Sequence, residues 1–221
     1  NRDFPKERKN GAENPCYKIK EEKRKRKMTD DKVEVLHQVA ILLHGKDFVL
    51  AEKILNEKYP FIPIKSSGRN YTVKQMVTQF FNDGFIDRYS GKRLVNPGIL
   101  RIMSEMLPEA FPYQAHWKTD ECHMAYWDLQ PTVDHIYPVS LGGKDTSENW
   151  ATTSMVNNSI KNNFTLEQLG WTLKNKGDIQ NWDGLSKIFI EIVEQDESLL
   201  RISRIKNYYT ATKEVMEELA L

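Results

Sequence analysis

The chain has 221 residues, 39% of them hydrophobic and 29% charged, with a net charge of +1. That is long enough to bury a core in one large or two small domains, with an ordinary globular balance. No run of about 18 apolar residues occurs, and no secretory apolar segment; the two cysteines, Cys16 and Cys122, are too far apart for a Cys-x-x-Cys pair. A membrane-spanning chain and a disulfide-rich secreted scaffold are thereby excluded, and a cytoplasmic, reducing setting with no membrane contact is expected.

In chain order, residues 1–27 are polar and hold 11 Lys/Arg against 5 Asp/Glu, a net of +6; the rest holds 21 against 26, a net of −5. This segment reads as a basic arm or linker, either solvated or in contact with nucleic acid phosphates. Residues 28–84 form a helical region. Val33, Leu36, Val39, Ala40 and Leu43 recur at helical spacing up to Gly45. A second helix follows from about Asp47 to Lys58 and a third from Tyr71 to Asn82. Three such helices could form a small DNA reader, although plain helical support produces the same apolar stripe. Phe85 to Val95 alternates around Ser90-Gly91 and predicts a β-hairpin. Pro97 opens a short helix, and the aromatic-rich stretch 109–130 predicts core packing with a helix near Asp120 to Leu129. A strand is expected at 132–139, a second at 149–153, then a helix from Met155. Thr165 and Gln168 have capping-box spacing. Helices over 184–195 and 198–219 complete the chain. The expected segments are 1–27, 28–84, a core over 85–182, and 183–221.

The chemistry-bearing residues sit around the two expected strands. Val133, Ile136, Tyr137 and Val139 are strand formers, yet Asp134 and His135 stand among them. Asn149 follows His135 by 14 residues, Asn158 follows Asn149 by 9, and Lys161 lies one turn further. A strand, a loop, a strand and a helix in this order let strand and helix residues face each other across a cleft the width of a phosphate.

These residues resemble the HNH endonuclease superfamily, whose active site is the ββα-metal finger. The match runs through Asp134-His135-Ile136, Pro138, Gly142-Gly143, Asn149-Trp150, Asn158 and Lys161, with Asn at the last metal position. "DRYSGKRL" resembles the hairpin that precedes the motif in many members. The resemblance implies an α+β fold, a finger with helical flanks on both sides, and metal-dependent cleavage of DNA to 5′-phosphate and 3′-hydroxyl ends. His135 would be the general base, oriented by a backbone carbonyl, and Asn149 would hold the inter-strand loop. Asp134 and Asn158 would offer oxygens to Mg²⁺ or Mn²⁺. By position in this chain, Lys161 on the helix face of Asn158, and Arg88, Lys92 and Arg93 on the hairpin near the motif, are expected to contact phosphates. The Cys-x-x-Cys pairs that bind a bracing zinc in many members are missing, so no structural zinc is expected. Other readings are open: a binding module with an inactive finger, or a nuclease acting on RNA or branched DNA. A homodimer would suit double-strand cutting, whereas a single site can nick.

Overall fold

The computed structural model describes residues 32–62 and 71–221; the basic arm expected over 1–27 lies outside the described residues. The chain divides at Pro63/Ile64 into two units. In the first, α1 (Lys32–His44) and α2 (Phe48–Lys58) are joined by a tight turn. Asp47 starts α2 by accepting the Leu50 N–H at 3.1 Å, satisfying one of the donors a helix start leaves open. Val35, Val39 and Ala51 are the buried apolar residues of this helix pair.

The second unit is mixed α and β. It contains α3 (Val73–Asn82), α4 (Pro97–Met106), α5 (Ala125–Asp128), β1 (Pro131–His135), β2 (Trp150–Ser154), α6 (Met155–Lys161), α7 (Leu166–Leu169), α8 (Ser186–Gln195) and α9 (Ser203–Glu218). Thr72 and Gln75 cap α3 reciprocally, as Thr165 and Gln168 cap α7. The main core gathers Val77, Phe80 and Phe81 from α3, Ile99 and Ile102 from α4, Val133 from β1, Phe189 and Val193 from α8, and Ile205, Tyr208 and Val215 from α9. The helix at 73–82 and the C-terminal helices therefore belong to one core with the strands. This corrects the expected boundaries at 84 and 182: the flanking helices complete the hydrophobic layer under the sheet. A smaller cluster of Leu100, Cys122, Ala125 and Tyr126 takes in Phe111, Tyr113 and Trp117. Asn96 joins the layers. Fully buried, it caps Gly98 at 2.9 Å and donates to Ser186 at 3.1 Å and Thr212 at 3.0 Å.

β1 and β2 pair antiparallel, with Val133 opposite Thr152 and His135 opposite Trp150. A two-stranded ribbon leaves outer-edge backbone groups that need partners. Two buried carboxylates supply them on β2. Asp83 accepts the Thr152 N–H at 2.8 Å and Asp87 the Ser154 N–H at 3.0 Å, while the Arg88 N–H donates to the Thr152 carbonyl at 2.8 Å. Hydrogen bonds to a charged acceptor contribute roughly 1.5–3 kcal/mol each. The segment expected as a β-hairpin is this clamp. Its arms meet at one bridge, Ile86 to Arg93, flanked by the bonds from the Asp87 N–H to the Lys92 carbonyl and from the Leu94 N–H to the Phe85 carbonyl, both 2.8 Å. Two other boundaries also differ. β1 ends at His135, where Ile136 and Tyr137 turn into the loop, and the helix expected over 120–129 narrows to Ala125–Asp128.

Candidate active site at the seam of β1 and α6

On a strand, residues two apart share a face, and on a helix residues three apart do. Thr132 and Asp134 of β1 meet Asn158 and Lys161 of α6 in that register. The Asn158 side-chain amide donates to Thr132 Oγ1 at 3.4 Å, and Lys161 Nζ lies 2.8 Å from Asp134 Oδ2. The same ammonium donates to the His135 carbonyl at 2.7 Å. Lys161 is 0% exposed. The surface phosphate contact expected from its spacing is therefore corrected: its charge is consumed inside the fold, where an unpaired carboxylate would be costly. Tyr89 completes this group, donating to Asp134 Oδ2 at 2.6 Å. Burial, then the charge and hydrogen bond of Asp134, push the Tyr89 phenol well above its ordinary range, so it remains a donor.

His135 leaves the strand on the opposite side from Asp134. It is 2% exposed. Its Nε2 lies 2.7 Å from Asp145 Oδ1, and that oxygen also accepts the Trp150 indole N–H at 2.9 Å. A carboxylate thus orients the ring, where a backbone carbonyl was expected.

Asn149 closes the loop between the strands. Its amide oxygen accepts the Tyr137 N–H at 2.8 Å, and its amide nitrogen donates to the Tyr137 carbonyl at 2.9 Å and the Lys144 carbonyl at 2.8 Å. The glycine pair makes this loop possible. Gly142 has φ +95°, a conformation L side chains resist, and a Cβ on Gly143 would stand 2.0 Å from the Tyr137 carbonyl oxygen.

The remaining expected contacts fall outside this group. Arg88 is buried, bonded to Asp83 at 2.7 Å and to the Lys174 carbonyl at 2.7 Å, which corrects its expected phosphate role: it neutralises the carboxylate that clamps β2. Arg93 lies over the Trp182 ring, 5.1 Å from its centroid, and Lys92 is exposed. Beside the seam, Asp87 holds both Ser154 and the Asn157 amide, the latter at 2.8 Å. Burial alone would raise its carboxyl, but bonds from Ser154, Tyr89 and Asn157 outweigh it and hold the group below its ordinary value.

Sequence reasoning missed Asp145, Tyr89, Asp83 and Asp87. The last three stand in or beside the "DRYSGKRL" segment, whose polar residues signalled contacts without naming the partner. Asp145 carries no periodic signal at all.

The oxygens that bonds leave over bear on the expected metal. Asp134 Oδ2 takes both Tyr89 and Lys161, and Asn158 uses its amide nitrogen, so Asp134 Oδ1 and the Asn158 amide oxygen stand outside these bonds. Two hard oxygens suit Mg²⁺ or Mn²⁺, which retain water and take phosphate oxygens for the rest of their shell. Among the described residues, no three His, Cys, Asp or Glu side chains gather as a metal-binding group. No helix there is long and apolar enough to cross a membrane. No family model, curated protein or solved structure matches the chain.

Proposed function

We propose that the chain is a metal-dependent endonuclease that hydrolyses DNA phosphodiester bonds through an HNH-type ββα finger formed by β1, β2 and α6. The observation that carries this reading is the joint placement of three groups. His135, at the end of β1, is oriented through Nε2, Asp134 precedes it and bonds Lys161 of α6, and Asn149 pins the loop between the strands. With Nε2–H donated to Asp145, the Nδ1 lone pair of His135 is left to take a proton from water. The water oxygen then attacks phosphorus, the bond to the 3′ oxygen breaks, and that oxygen leaves with a proton as the 3′-hydroxyl. The phosphate stays on the 5′ end. Asp134 Oδ1 and the Asn158 oxygen would hold Mg²⁺ or Mn²⁺, which when bound neutralises charge on the leaving oxygen. Lys161 fixes the Asp134 carboxylate and the His135 backbone together.

A plasmid-nicking assay with Mg²⁺, with Mn²⁺ and with EDTA tests the reading. Cleavage should need the metal, and His135→Ala should lower it by roughly 10²–10⁴ while DNA binding persists. Persistent DNA binding by a parent that cuts neither DNA nor RNA under any metal would instead identify a binding module. Cutting of RNA or branched DNA alone would move the substrate class.

A further inference from the structure

We infer that Asp145 is the positioning residue of His135, and that Asn149 acts on the base through it. This rests on the reading of His135 as the general base. Three observations converge. The His135–Asp145 contact is short, 2.7 Å, and the imidazole is almost wholly buried. Asp145 is held from a second direction, because the oxygen facing His135 also accepts the Trp150 N–H at 2.9 Å, and Trp150 pairs with His135 across the sheet. Trp150 is itself braced by the edge-on ring of Tyr71, with centroids 5.6 Å apart. The backbone immediately before Asp145 is fixed as well, since Asn149 donates to the Lys144 carbonyl. A chain of contacts thus runs from Asn149 through Lys144 and Asp145 to the imidazole.

Its chemical effect is directional. A carboxylate can only accept from His135, so Nε2 carries the hydrogen and Nδ1 the lone pair. The Asp145 side chain is 17% exposed against 3% for His135. It also lines a cleft of about 320 Å³ with Gln75, Thr78 and Asn82 of α3. The carboxylate thus occupies Nε2 and leaves the Nδ1 lone pair for proton uptake.

The test uses Asp145→Ala, Asp145→Asn and Trp150→Phe in the full chain. The readouts are cleavage kinetics, thermal melts, and the low-field proton resonance of the imidazole N–H without DNA or metal. Loss of the orienting group should lower kcat of Asp145→Ala by about 10²-fold with KM unchanged, and the low-field resonance should vanish. Asp145→Asn, whose amide oxygen can accept both N–H groups, should keep the resonance at higher field and lose only about tenfold in kcat. Trp150→Phe should keep the resonance. Parental kcat, or a parental resonance, in Asp145→Ala overturns the inference. Should that variant fail to fold, an Asp145→Asn protein matching the parent in both readouts overturns it equally. If the parent does not cut nucleic acid, the nuclease reading fails and the resonance decides alone. Its presence in the parent and loss in Asp145→Ala keeps Asp145 as the holder of His135; its absence from the parent overturns the inference.

Discussion

Replacing Lys161 with Met keeps an unbranched apolar stem out to Cε and removes the ammonium. In the parent that group bonds Asp134 Oδ2 at 2.8 Å and the His135 carbonyl at 2.7 Å from a fully buried position. The variant leaves Asp134, itself 6% exposed, with Tyr89 as its remaining hydrogen-bond partner, and strips the His135 carbonyl of a donor. Removing one member of a buried ion pair costs about 3–5 kcal/mol, because the other charge stays behind uncompensated. At about 2–4 °C per kcal/mol for a domain of this size, Tm should fall by roughly 6–20 °C. Urea unfolding measures the free energy and calorimetry the Tm. The double variant Asp134→Asn/Lys161→Met removes both charges and should be more stable than the sum of the single losses implies, with a coupling of roughly 0.5–3 kcal/mol. A Lys161→Met protein within about 0.5 kcal/mol of the parent, as for an ordinary surface change, but with weakened DNA binding would refute this reasoning and return Lys161 to the surface.

Asn149→Ala deletes three hydrogen bonds and should cost about 1–3 kcal/mol in urea unfolding, at roughly 1 kcal/mol per bond, with faster hydrogen exchange at the Tyr137 amide. Asp87 contributes a pH dependence of known sign. Its folded carboxyl lies below the ordinary 3.8, so its stabilisation is complete above that pH and is lost as pH falls through the lower folded value. Urea titrations at descending pH should show the gap between parent and Asp87→Asn narrowing on acidification; a gap that widens contradicts the assignment. Deleting residues 1–27, which carry a net of +6, should lower the slope of log affinity against log salt by roughly 3 if about three of its charges meet duplex phosphates. Equal slopes for the two proteins, measured from about 50 to 200 mM salt, would leave the arm without a role on nucleic acid.

Local chemistry was legible from the residues alone. Asp47, Pro97 and the Thr165–Gln168 pair mark helix starts where the structure has them, because capping acts over three or four residues and needs no distant partner. The Thr72–Gln75 pair bears the same signature at α3 and could have been read the same way. The alternating run around Asp134 and the glycines at 142 and 143 placed the strand and the loop. Spacing likewise put Asn158 and Lys161 on one helix face. What spacing could not supply was the direction in which a charged side chain finds its compensation. Lys161 looks like a surface cation until β1 presents Asp134 to it from 27 residues earlier in the chain. Arg88 looks like a phosphate contact until Asp83 neutralises it inside the unit. Asp145 looks like a loop residue until the antiparallel register sets Trp150 beside His135 and both find one carboxylate oxygen. Those outcomes were decided by tertiary structure, because burial removes water as an alternative partner. A charge in the interior must then be matched by whatever group the packing of distant segments brings within hydrogen-bonding reach.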